Sequence, residues 1–528
     1  MDEKDLQAED SSNYSASAES IDVYTLHEAH AGRLVVDPEE ARIEFGEKLA
    51  SRLKLSKDGT KVLWPQPHDS DLDPQNWSDY RKNMQLLIIT LAAFTPDFNS
   101  GIGIASIFRL AAQYNTTTGE INDLTSNWSI FLLGWGGIAA VMLMRRYGRL
   151  PVLFWSQLLA VGFMVGCTFA PTLQSFAAFR CLTAFFGTCP QVTGLYVVTD
   201  LFPFHLQARK LNLWTFGFIL SPFLSPFAFG FLVARTTWRW AYGIGTIFNA
   251  MVLVLIALFM EETMYDRHLK TPPAPPYTGL KYRIYTLIGV TGVKLAKYRT
   301  PLFEVVLSPF RVAWRPHLLM ALFYEALLFG FSIGINVTFA VFLGLPKTMG
   351  GYGFGQFAIA GCYATPIISV IIGESIGRYV NDWLANFLIK RNHGVFEAEM
   401  RLWMCYLALP LYICGFVVIG AAFEKHLSIG AIIMGWGIAE CAVMMTTVAI
   451  YAYCNDCFPK HQGEISALIN LARTLGGFAV AFFQVPWATK HGAIQTFGVE
   501  AAIVAGLFVF LIPLLQIKGR SLREKYSL

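Results

Sequence analysis

The stretch WAYGIGTIFNAMVLVLIALFM, residues 240–260, contains no aspartate, glutamate, lysine or arginine. A helix that crosses a membrane needs about 20 mostly apolar residues, so this stretch is long enough to span a bilayer by itself. The whole chain shares this character, because 54% of its 528 residues are hydrophobic and the mean hydropathy is +0.45. Only 15% are charged, whereas a soluble domain carries about a quarter. The composition therefore predicts a protein whose surface largely faces lipid.

Eleven further apolar stretches are long enough to cross a bilayer, which predicts an all-α membrane protein with twelve transmembrane helices. The predicted helices cover residues 84–105, 124–144, 150–170, 176–199, 211–233 and 240–260, and then 317–344, 354–376, 401–423, 428–450, 464–485 and 495–516. Residues 1–80 are polar and predict a largely disordered cytoplasmic tail. Residues 81–262 and 317–516 then form two six-helix parts, with a cytoplasmic linker over 263–316 and a C-terminal tail over 517–528.

Basic residues between the predicted helices indicate the orientation of the chain. Arg145, Arg146 and Arg149 lie between helices 2 and 3, Arg378 follows helix 8, and the linker carries further lysines and arginines. Loops rich in lysine and arginine stay in the cytoplasm. The chain is therefore predicted to be a multi-pass protein with both termini cytoplasmic, in the plasma membrane or, alternatively, the vacuolar membrane. In the first outer loop, Asn115 begins the glycosylation motif Asn-Thr-Thr.

A short motif repeats between the two six-helix parts. DLFPFH (200–205) ends the fourth helix and DCFPKH (456–461) ends the tenth, so the pattern D-x-F-P-x-H occupies the same place in each set of six. A parallel repeat of two six-helix halves is typical of transporters in which one half rocks against the other around a central site. The repeat therefore predicts that architecture.

Further motifs resemble the major facilitator superfamily, in particular its fungal drug:proton antiporter-type branch, nearest to the Hol-type organic-cation and polyamine transporters. They are DPQNWS (73–78), RRYGRLPV (145–152), Arg180, WRW (238–240), ETMY (262–265) and RNHGVFE (391–397). The resemblance implies the major facilitator fold and transport by alternating access. Arg145 departs from the family pattern, which normally has aspartate there. Ser221-Pro222 and Ser225-Pro226 also replace the usual Gly-Pro pairs of the antiporter motif, which leaves symport or import open.

Four acidic residues inside predicted helices stand out, since a charge there costs about 2.5–3.5 kcal/mol, and three of them lie in helices 1, 7 and 10. Asp97 follows the helix breaker Pro96 in helix 1, Glu325 lies in helix 7, and Glu440 lies near the middle of helix 10. The resemblance implies that these helices line a central cavity, where the acids would attract a cation and carry protons. The other predicted site residues are Arg180, Arg473, Asn99, Tyr324 and Trp436. Alternatively, the acids only neutralise the two arginines, or the arginines bind an organic anion.

A second group of charges lies at the predicted cytoplasmic ends of the helices. The acids are Asp200 and Asp456, and their predicted partners are the arginines Arg145, Arg146, Arg149 and Arg378. Such pairs would hold the cytoplasmic side shut, although the two acids could instead cap their helices. Glu374 in helix 8 is predicted to join this gate, beside Gly373 and Gly377. Inward opening would then require these contacts to break.

These features predict a proton-coupled secondary transporter that takes up a small organic cation such as a polyamine. The same fold would serve a multidrug or metabolite exporter, or an organic-acid exporter that uses Arg180 and Arg473. A non-transporting nutrient sensor is the remaining alternative. Since no nucleophile arrangement, nucleotide motif or metal-ligand set is found, we expect no enzymatic activity, cofactor or metal. The net charge of +4 is too small to predict binding to nucleic acid, and we expect a monomer in the lipid bilayer.

Overall fold

The computed structural model of the chain is built from helices. It describes residues 37–266, 278–347, 351–391, 397–458 and 461–526. Within these ranges, twelve helices are long and apolar enough to cross a membrane, and we number them α1 to α12. Their bounds are Asp79–Tyr114, Thr118–Tyr147, Arg149–Phe169, Leu173–Leu201, Phe204–Arg235 and Trp238–Phe259, and then Pro316–Gly344, Gln356–Leu384, Ala398–Glu424, Ile429–Cys457, Gln462–His491 and Ala493–Lys525. The predicted all-α membrane fold with twelve transmembrane helices is confirmed.

Most of the twelve helices extend beyond the predicted apolar stretches. α1 runs through Pro96 without interruption, in agreement with the unbroken helix predicted over residues 84–105. Proline is tolerated inside membrane helices because neighbouring groups satisfy the freed backbone carbonyls. α12 continues to Lys525, so the predicted tail over 517–528 is helical as far as the structure describes it. Polar residues in such extensions, for example Arg520 and Glu524 of α12, lower the local hydropathy, so a hydropathy criterion does not detect these turns.

Residues 37–78 are folded, whereas the sequence predicts a largely disordered tail over 1–80; residues 1–36 lie outside the described part of the chain. Pro38–Phe45 is a helix, and Asp73 caps the short turn Pro74–Asn76. The backbone N–H of Phe204 donates to the carbonyl oxygen of Trp64 at 2.8 Å, which ties this segment to the start of α5. The polar composition of the segment therefore reflects a layer that covers the helix ends.

The twelve helices form two halves, α1–α6 and α7–α12, that repeat the same packing. α1 lies along α5 in the first half, and α7 lies along α11 in the second. Between the halves, α2 packs against α11 and α5 packs against α8. This is the repeat that the D-x-F-P-x-H motif predicts, although Pro459 and Lys460 of its second copy lie outside the described residues.

In the part of the linker that the structure describes, there are three α-helices, Gly279–Ile288, Val290–Leu295 and Leu302–Ala313. They lie against the helix ends that carry the basic loops, which we call the basic face. Trp155 of α3 donates from Nε1 to the carbonyl oxygen of Ile288 at 2.9 Å. The linker is thus fixed to the first half.

α7 and α11 cross so closely that each needs a glycine at the crossing. A Cβ atom on Gly476 would meet the carbonyl oxygen of Ala326, and one on Gly330 would lie 2.6 Å from the backbone of Gly476. Small residues let membrane helices approach at this distance, and the resulting packing contributes to helix association in lipid. The crossing therefore fixes the position of α11, which carries Arg473.

We expect Gly476→Val to destabilise the protein, because overpacking of a tight contact costs about 1–3 kcal/mol. Gly506→Val in α12 is the matched control, since a Cβ atom there meets nothing within 4 Å. The apparent melting temperature of the purified protein, read from gel filtration of heated samples, should fall only for Gly476→Val. Equal melting temperatures for the two variants would contradict the tight crossing.

Candidate substrate site

A cavity of about 100 Å³ lies between the two halves. Its walls come from α1, α2, α5, α7, α10 and α11, so both halves contribute to it. Many of the lining side chains are apolar, and Phe218, Phe223 and Phe329 are the largest of them. The polar and charged lining residues are Asp97, Ser100, Ser126, Asn336, Asn470, Arg473 and Thr474. Apolar walls with a few placed polar groups are typical of small-molecule sites.

Asp97 and Arg473 are the charged residues on the cavity wall. Gln191 of α4 donates from Nε2 to the carboxylate of Asp97 at 2.7 Å. The guanidinium of Arg473 lies over the ring of Phe329, 3.6 Å from the ring centroid. Its Nε atom has no hydrogen-bond partner among the residues that the structure describes. Since Asp97 belongs to the first half and Arg473 to the second, a solute in the cavity can contact a charge from each half.

Glu325 and Glu440 lie behind the cavity wall, where α7 meets α10. Thr447 donates from Oγ1 to Glu325 at 2.9 Å, and Ser332 donates from Oγ to Glu440 at 2.7 Å. Each helix thus supplies one acid and one hydroxyl group. Both acids are at most 1% exposed, and within the described residues one oxygen of each lacks a hydrogen-bond partner. Arg473 interacts electrostatically with both acids and with Asp97, so the three predicted acids share one buried cation.

Arg180 and Asn99, which the sequence places in the site, instead join helices within the first half. Arg180 of α4 donates to the backbone carbonyl oxygens of Asn99 and Ser100, at 2.7 and 3.1 Å. The side-chain oxygen of Asn99 accepts a hydrogen bond from Asn249 of α6 at 3.0 Å. Neither Arg180 nor Asn99 is among the described residues that line the cavity. Their geometry gives them a structural role, because α1 carries Asp97 and they fix α1 in place.

Tyr324 and Trp436, the two predicted aromatic contacts, are buried in the core of the second half. Both are at most 1% exposed. The ring of Trp436 lies 4.1 Å from the ring of Phe339, and Tyr324 packs near Phe508. The described cavity lining includes neither residue, and its aromatic surface comes from phenylalanines of α5 and α7 instead.

Two of the predicted gate acids form ion pairs within their own half. Asp200 at the end of α4 pairs with Arg149 at the start of α3, at 3.3 Å, as the sequence predicts. Asp456 at the end of α10 pairs with Arg401 near the start of α9, at 3.2 Å. The sequence predicted a partner for Asp456 among Arg145, Arg146, Arg149 and Arg378, but in the described residues Arg401 of the neighbouring helix is its partner instead. The two pairs occupy equivalent places in the repeat, and they brace each half rather than joining the halves.

The halves are joined on the basic face at Glu464, an acid in the first turn of α11. Its side chain is 1% exposed and forms an ion pair with Arg145 of α2. The hydroxyl groups of Tyr196 in α4 and Ser308 in the linker each donate to Glu464 at 3.0 Å. We call these four residues the inter-half latch. Arg145, which replaces the usual aspartate of the family motif, is thus the residue of the predicted gate that reaches across to the other half.

Two other residues of the predicted gate have different surroundings. Arg146 donates to the carbonyl oxygen of Thr300 at 3.0 Å, so it holds the linker. Glu374 is buried, and a Cβ atom on the adjacent Gly373 would lie 2.8 Å from the backbone of Cys441. Because Cys441 lies in the middle of α10, Glu374 lies beside the middle of that helix and not at the helix ends where the sequence predicts the gate.

Arg378 and Asn115 lie toward opposite ends of the helices. Arg378 is one turn beyond Glu374 in α8, with its guanidinium 5.5 Å from the ring centroid of Tyr379. Asn115 is exposed at the end of α1, on the face opposite the basic face. Its exposure is compatible with glycosylation, which stays a prediction.

The two halves also touch on the face opposite the latch. Gln356 at the start of α8 donates from Nε2 to the carbonyl oxygen of Ala105 in α1 at 2.8 Å. The rings of Phe231 in α5 and Phe357 in α8 lie 6.1 Å apart. The two halves are therefore in contact on both sides of the cavity.

Several residues of the site were missed from the sequence. Glu464 opens a helix, where an acid is ordinarily explained by the helix dipole. Gln191 and Asn336 are uncharged, so in the sequence each is only a polar residue within an apolar stretch, which does not by itself indicate a site. Glu500 in α12 was also missed, although it is fully buried and accepts hydrogen bonds from Gln484 at 2.9 and 3.1 Å.

Comparisons with known proteins agree with the fold. MFS transporter fsa7 of Fusarium sp. is 26% identical over 393 residues, covering 72% of this chain and 74% of the relative. Efflux pump radE of Floropilus chiversii is 22% identical over 513 residues, covering 96% and 92%. The proton:xylose symporter XylE, solved with 6-bromo-6-deoxy-D-glucose, has a TM-score of 0.56 at 13% identity, covering 82% of this chain and 97% of that structure, and so shares the fold. The sequence pattern of the Major Facilitator Superfamily matches residues 86–481, which is more than half of the chain. The chain therefore belongs to the Major Facilitator Superfamily.

Proposed function

We propose that this transporter exports a small, largely apolar organic molecule with one polar or charged group, in exchange for protons. The observation that carries the proposal is the cavity between the halves, where apolar walls surround one carboxylate and one guanidinium. The relative named as an efflux pump supports export, which is the reverse of the uptake that the sequence predicts. The proposed location is the plasma membrane, with both termini cytoplasmic, and the vacuolar membrane is the alternative.

The distribution of charge favours such a solute over a polyamine. A polyamine carries several ammonium groups, and each needs its own acceptor when it leaves water. Among the described acids, Asp97 lines the cavity, whereas Glu325 and Glu440 accept hydroxyl hydrogen bonds behind the wall. Arg473 also faces the cavity and would repel a second ammonium group. A molecule with one charge and a large apolar surface therefore suits the walls better.

Proton coupling is proposed at Asp97. A proton and a solute in the cavity can compete for its carboxylate, which Gln191 holds in place at 2.7 Å. A bound proton removes the negative charge of Asp97 and leaves the positive charge of Arg473 less compensated. Protonation of Asp97 therefore changes the affinity of the cavity for a solute that depends on this charge balance. By linkage, binding of the solute changes the proton affinity of Asp97 by the same factor. Such reciprocal coupling is what exchange requires.

The inter-half latch is the proposed gate on the cytoplasmic side. Opening this side separates Arg145 and Tyr196 of the first half from Glu464 of the second. Removing one partner of a buried ion pair costs about 3–5 kcal/mol, because the other charge is left uncompensated. Water that enters during opening would hydrate both charges and reduce this cost. The latch would thus control how often the inward-open state forms.

Uptake of a monovalent organic cation is the second candidate, and Asp97 favours it. An ammonium group could pair with this carboxylate while the rings of Phe218, Phe223 and Phe329 contribute apolar and cation–π contacts. The Hol-type resemblance remains a prediction that supports this candidate.

Transport in a yeast strain that lacks its own drug exporters tests the proposed direction. Cells would be loaded with rhodamine 6G, a largely apolar cation, or with fluorescein, a largely apolar anion, and dye loss would be followed in glucose. We expect efflux of at least one dye, and we expect a protonophore to abolish it. Uptake of radiolabelled tetraethylammonium, a monovalent organic cation, without dye efflux would replace export by the second candidate. If the protein reaches the surface and neither activity is detected, both proposals are overturned.

Asp97→Asn should abolish the dependence of transport on external pH, because the amide has the same shape but binds no proton at neutral pH. Asp123→Asn is the matched control, since Asp123 lies in α2 outside the cavity lining and accepts a hydrogen bond from Asn127. Initial efflux rates at acidic and neutral external pH check the expectation. A normal pH response in Asp97→Asn, with normal surface expression, would remove Asp97 from the coupling mechanism.

Glu464→Gln should weaken the latch and increase the population that is open on the basic face. In a background without native cysteines, Ser126→Cys reports on the cavity, and a membrane-impermeant maleimide applied to inside-out vesicles should label it faster in Glu464→Gln. Glu304→Gln, in an exposed acid of the linker, is the control. The exchange Arg145→Glu with Glu464→Arg should restore slow labelling. Unchanged labelling in Glu464→Gln would show that the latch does not hold this face closed.

A further inference from the structure

A groove of about 660 Å³ lies on the lipid-facing side of the first half, separate from the central cavity. α2, α3 and α4 form its walls, and the linker closes it at the basic face. Its floor on α2 is made of the small residues Gly136, Ala139 and Ala140. At its rim, Leu143 and Trp155 are each 44% exposed. The groove is therefore an apolar surface that the described protein leaves uncovered.

The length of the groove matches one leaflet of a bilayer. Its lining on α2 runs from Tyr147, at the basic face, to Gly136. The two positions are eleven steps apart along the helix, which corresponds to about 16 Å at a rise of 1.5 Å per residue. The hydrocarbon core of a bilayer is about 30 Å thick, so one leaflet contributes about 15 Å. An acyl chain that lies in the groove would extend from the headgroup region to the middle of the membrane.

The linker positions an apolar surface at the mouth of the groove. The hydrogen bond from Trp155 to the carbonyl oxygen of Ile288 holds the linker against α3, and Gly292 packs on the carbonyl oxygen of Tyr147. Leu280, Ile284 and Ile288 follow one another at helical spacing and are 76%, 46% and 48% exposed. These residues give the linker helix an apolar stripe that continues from the groove, as expected for a helix in the membrane interface.

The linker beside the mouth of the groove carries an excess of basic residues, and Lys294 lines the groove directly. In residues 278–315 the one acid is Glu304, whereas the basic residues are Lys281, Arg283, Lys294, Lys297, Arg299, Arg311 and Arg315. Arg299 is neutralised by Asp266 at 3.1 Å, and the others leave the segment positively charged. Basic clusters beside a transmembrane helix attract anionic lipid headgroups. The positive charge of the linker and the apolar surface of the groove therefore both fit a molecule with an anionic headgroup and an apolar chain.

We propose that the groove binds one anionic phospholipid of the leaflet at the basic face, with an acyl chain along α2 and the phosphate beside Lys294. The lysine selects the headgroup, and the short side chain of Ala139 on α2 makes room for the chain. Because α2 also carries Arg145 of the latch, the lipid contacts the helix and the linker that together hold the basic face closed.

Native mass spectrometry of the purified full chain tests the selection of the headgroup. Phosphatidylserine and phosphatidylcholine with identical palmitoyl and oleoyl chains would be added in turn. We expect phosphatidylserine to be retained about fivefold better, the factor expected for one lysine at an anionic surface, and Lys294→Gln to remove the difference. Ala139→Trp should lower retention of both lipids, whereas Ile247→Trp, at an exposed position of α6, should leave it unchanged. Equal retention of the two lipids by the wild type would overturn the proposed headgroup contact.

Photo-crosslinking keeps the acyl-chain proposal testable even if Ala139→Trp fails to fold. Phosphatidylserine with a diazirine on its acyl chain would be reconstituted with the wild type, and crosslinked peptides would be mapped. We expect enrichment in Gly136–Tyr147 and Arg149–Leu159 over peptides of α6. Crosslinks spread evenly around the protein would mean ordinary boundary lipid and would overturn the site. Displacement of the lipid probe by an exported dye would identify the groove as a solute entrance instead.

Discussion

The interior of a bilayer offers no water to a charged side chain, so each buried charge has to be compensated by the protein. Arg473 lies on the ring of Phe329 within electrostatic range of three carboxylates. Glu464 is compensated by Arg145 and the hydroxyl group of Tyr196. The first group lies at the cavity and the second lies at the basic face. Since both groups include residues from each half, the interactions that make these charges tolerable also couple the two halves.

The ion pairs divide into those that stabilise a half and those that join the halves. Arg149–Asp200 and Arg401–Asp456 connect neighbouring helices within one half and occupy equivalent places in the repeat. They can stay intact while the halves move as rigid units. Arg145–Glu464 crosses between the halves and must break when the basic face opens. Ion pairs within one half thus stabilise that half, whereas the ion pair between the halves belongs to the proposed gate.

The sequence predicted the twelve helices and the repeat because hydropathy and a duplicated motif are properties of single segments. It also identified Asp97 and Arg473, since a charge in an apolar run is conspicuous. It could not show that Glu325 and Glu440 lie behind the wall, or that Arg180 binds the backbone of α1. Those facts depend on the rotation of each helix about its axis, which packing against several neighbours decides. Glu464 was missed for a related reason, because its partners come from α2, α4 and the linker, all distant in sequence.

The linker is attached to both halves, but the two attachments differ in kind. It is held to the first half by the hydrogen bond from Trp155 and by the backbone contact of Gly292 with Tyr147. At the latch, Ser308 donates its hydroxyl group to Glu464, and the linker helix Leu302–Ala313 packs against both α2 of the first half and α11 of the second. This helix therefore lies on the boundary that separates when the basic face opens. Because the preceding part of the linker is held on the first half, we expect the contact with α11, including the hydrogen bond at Ser308, to be the one that is released.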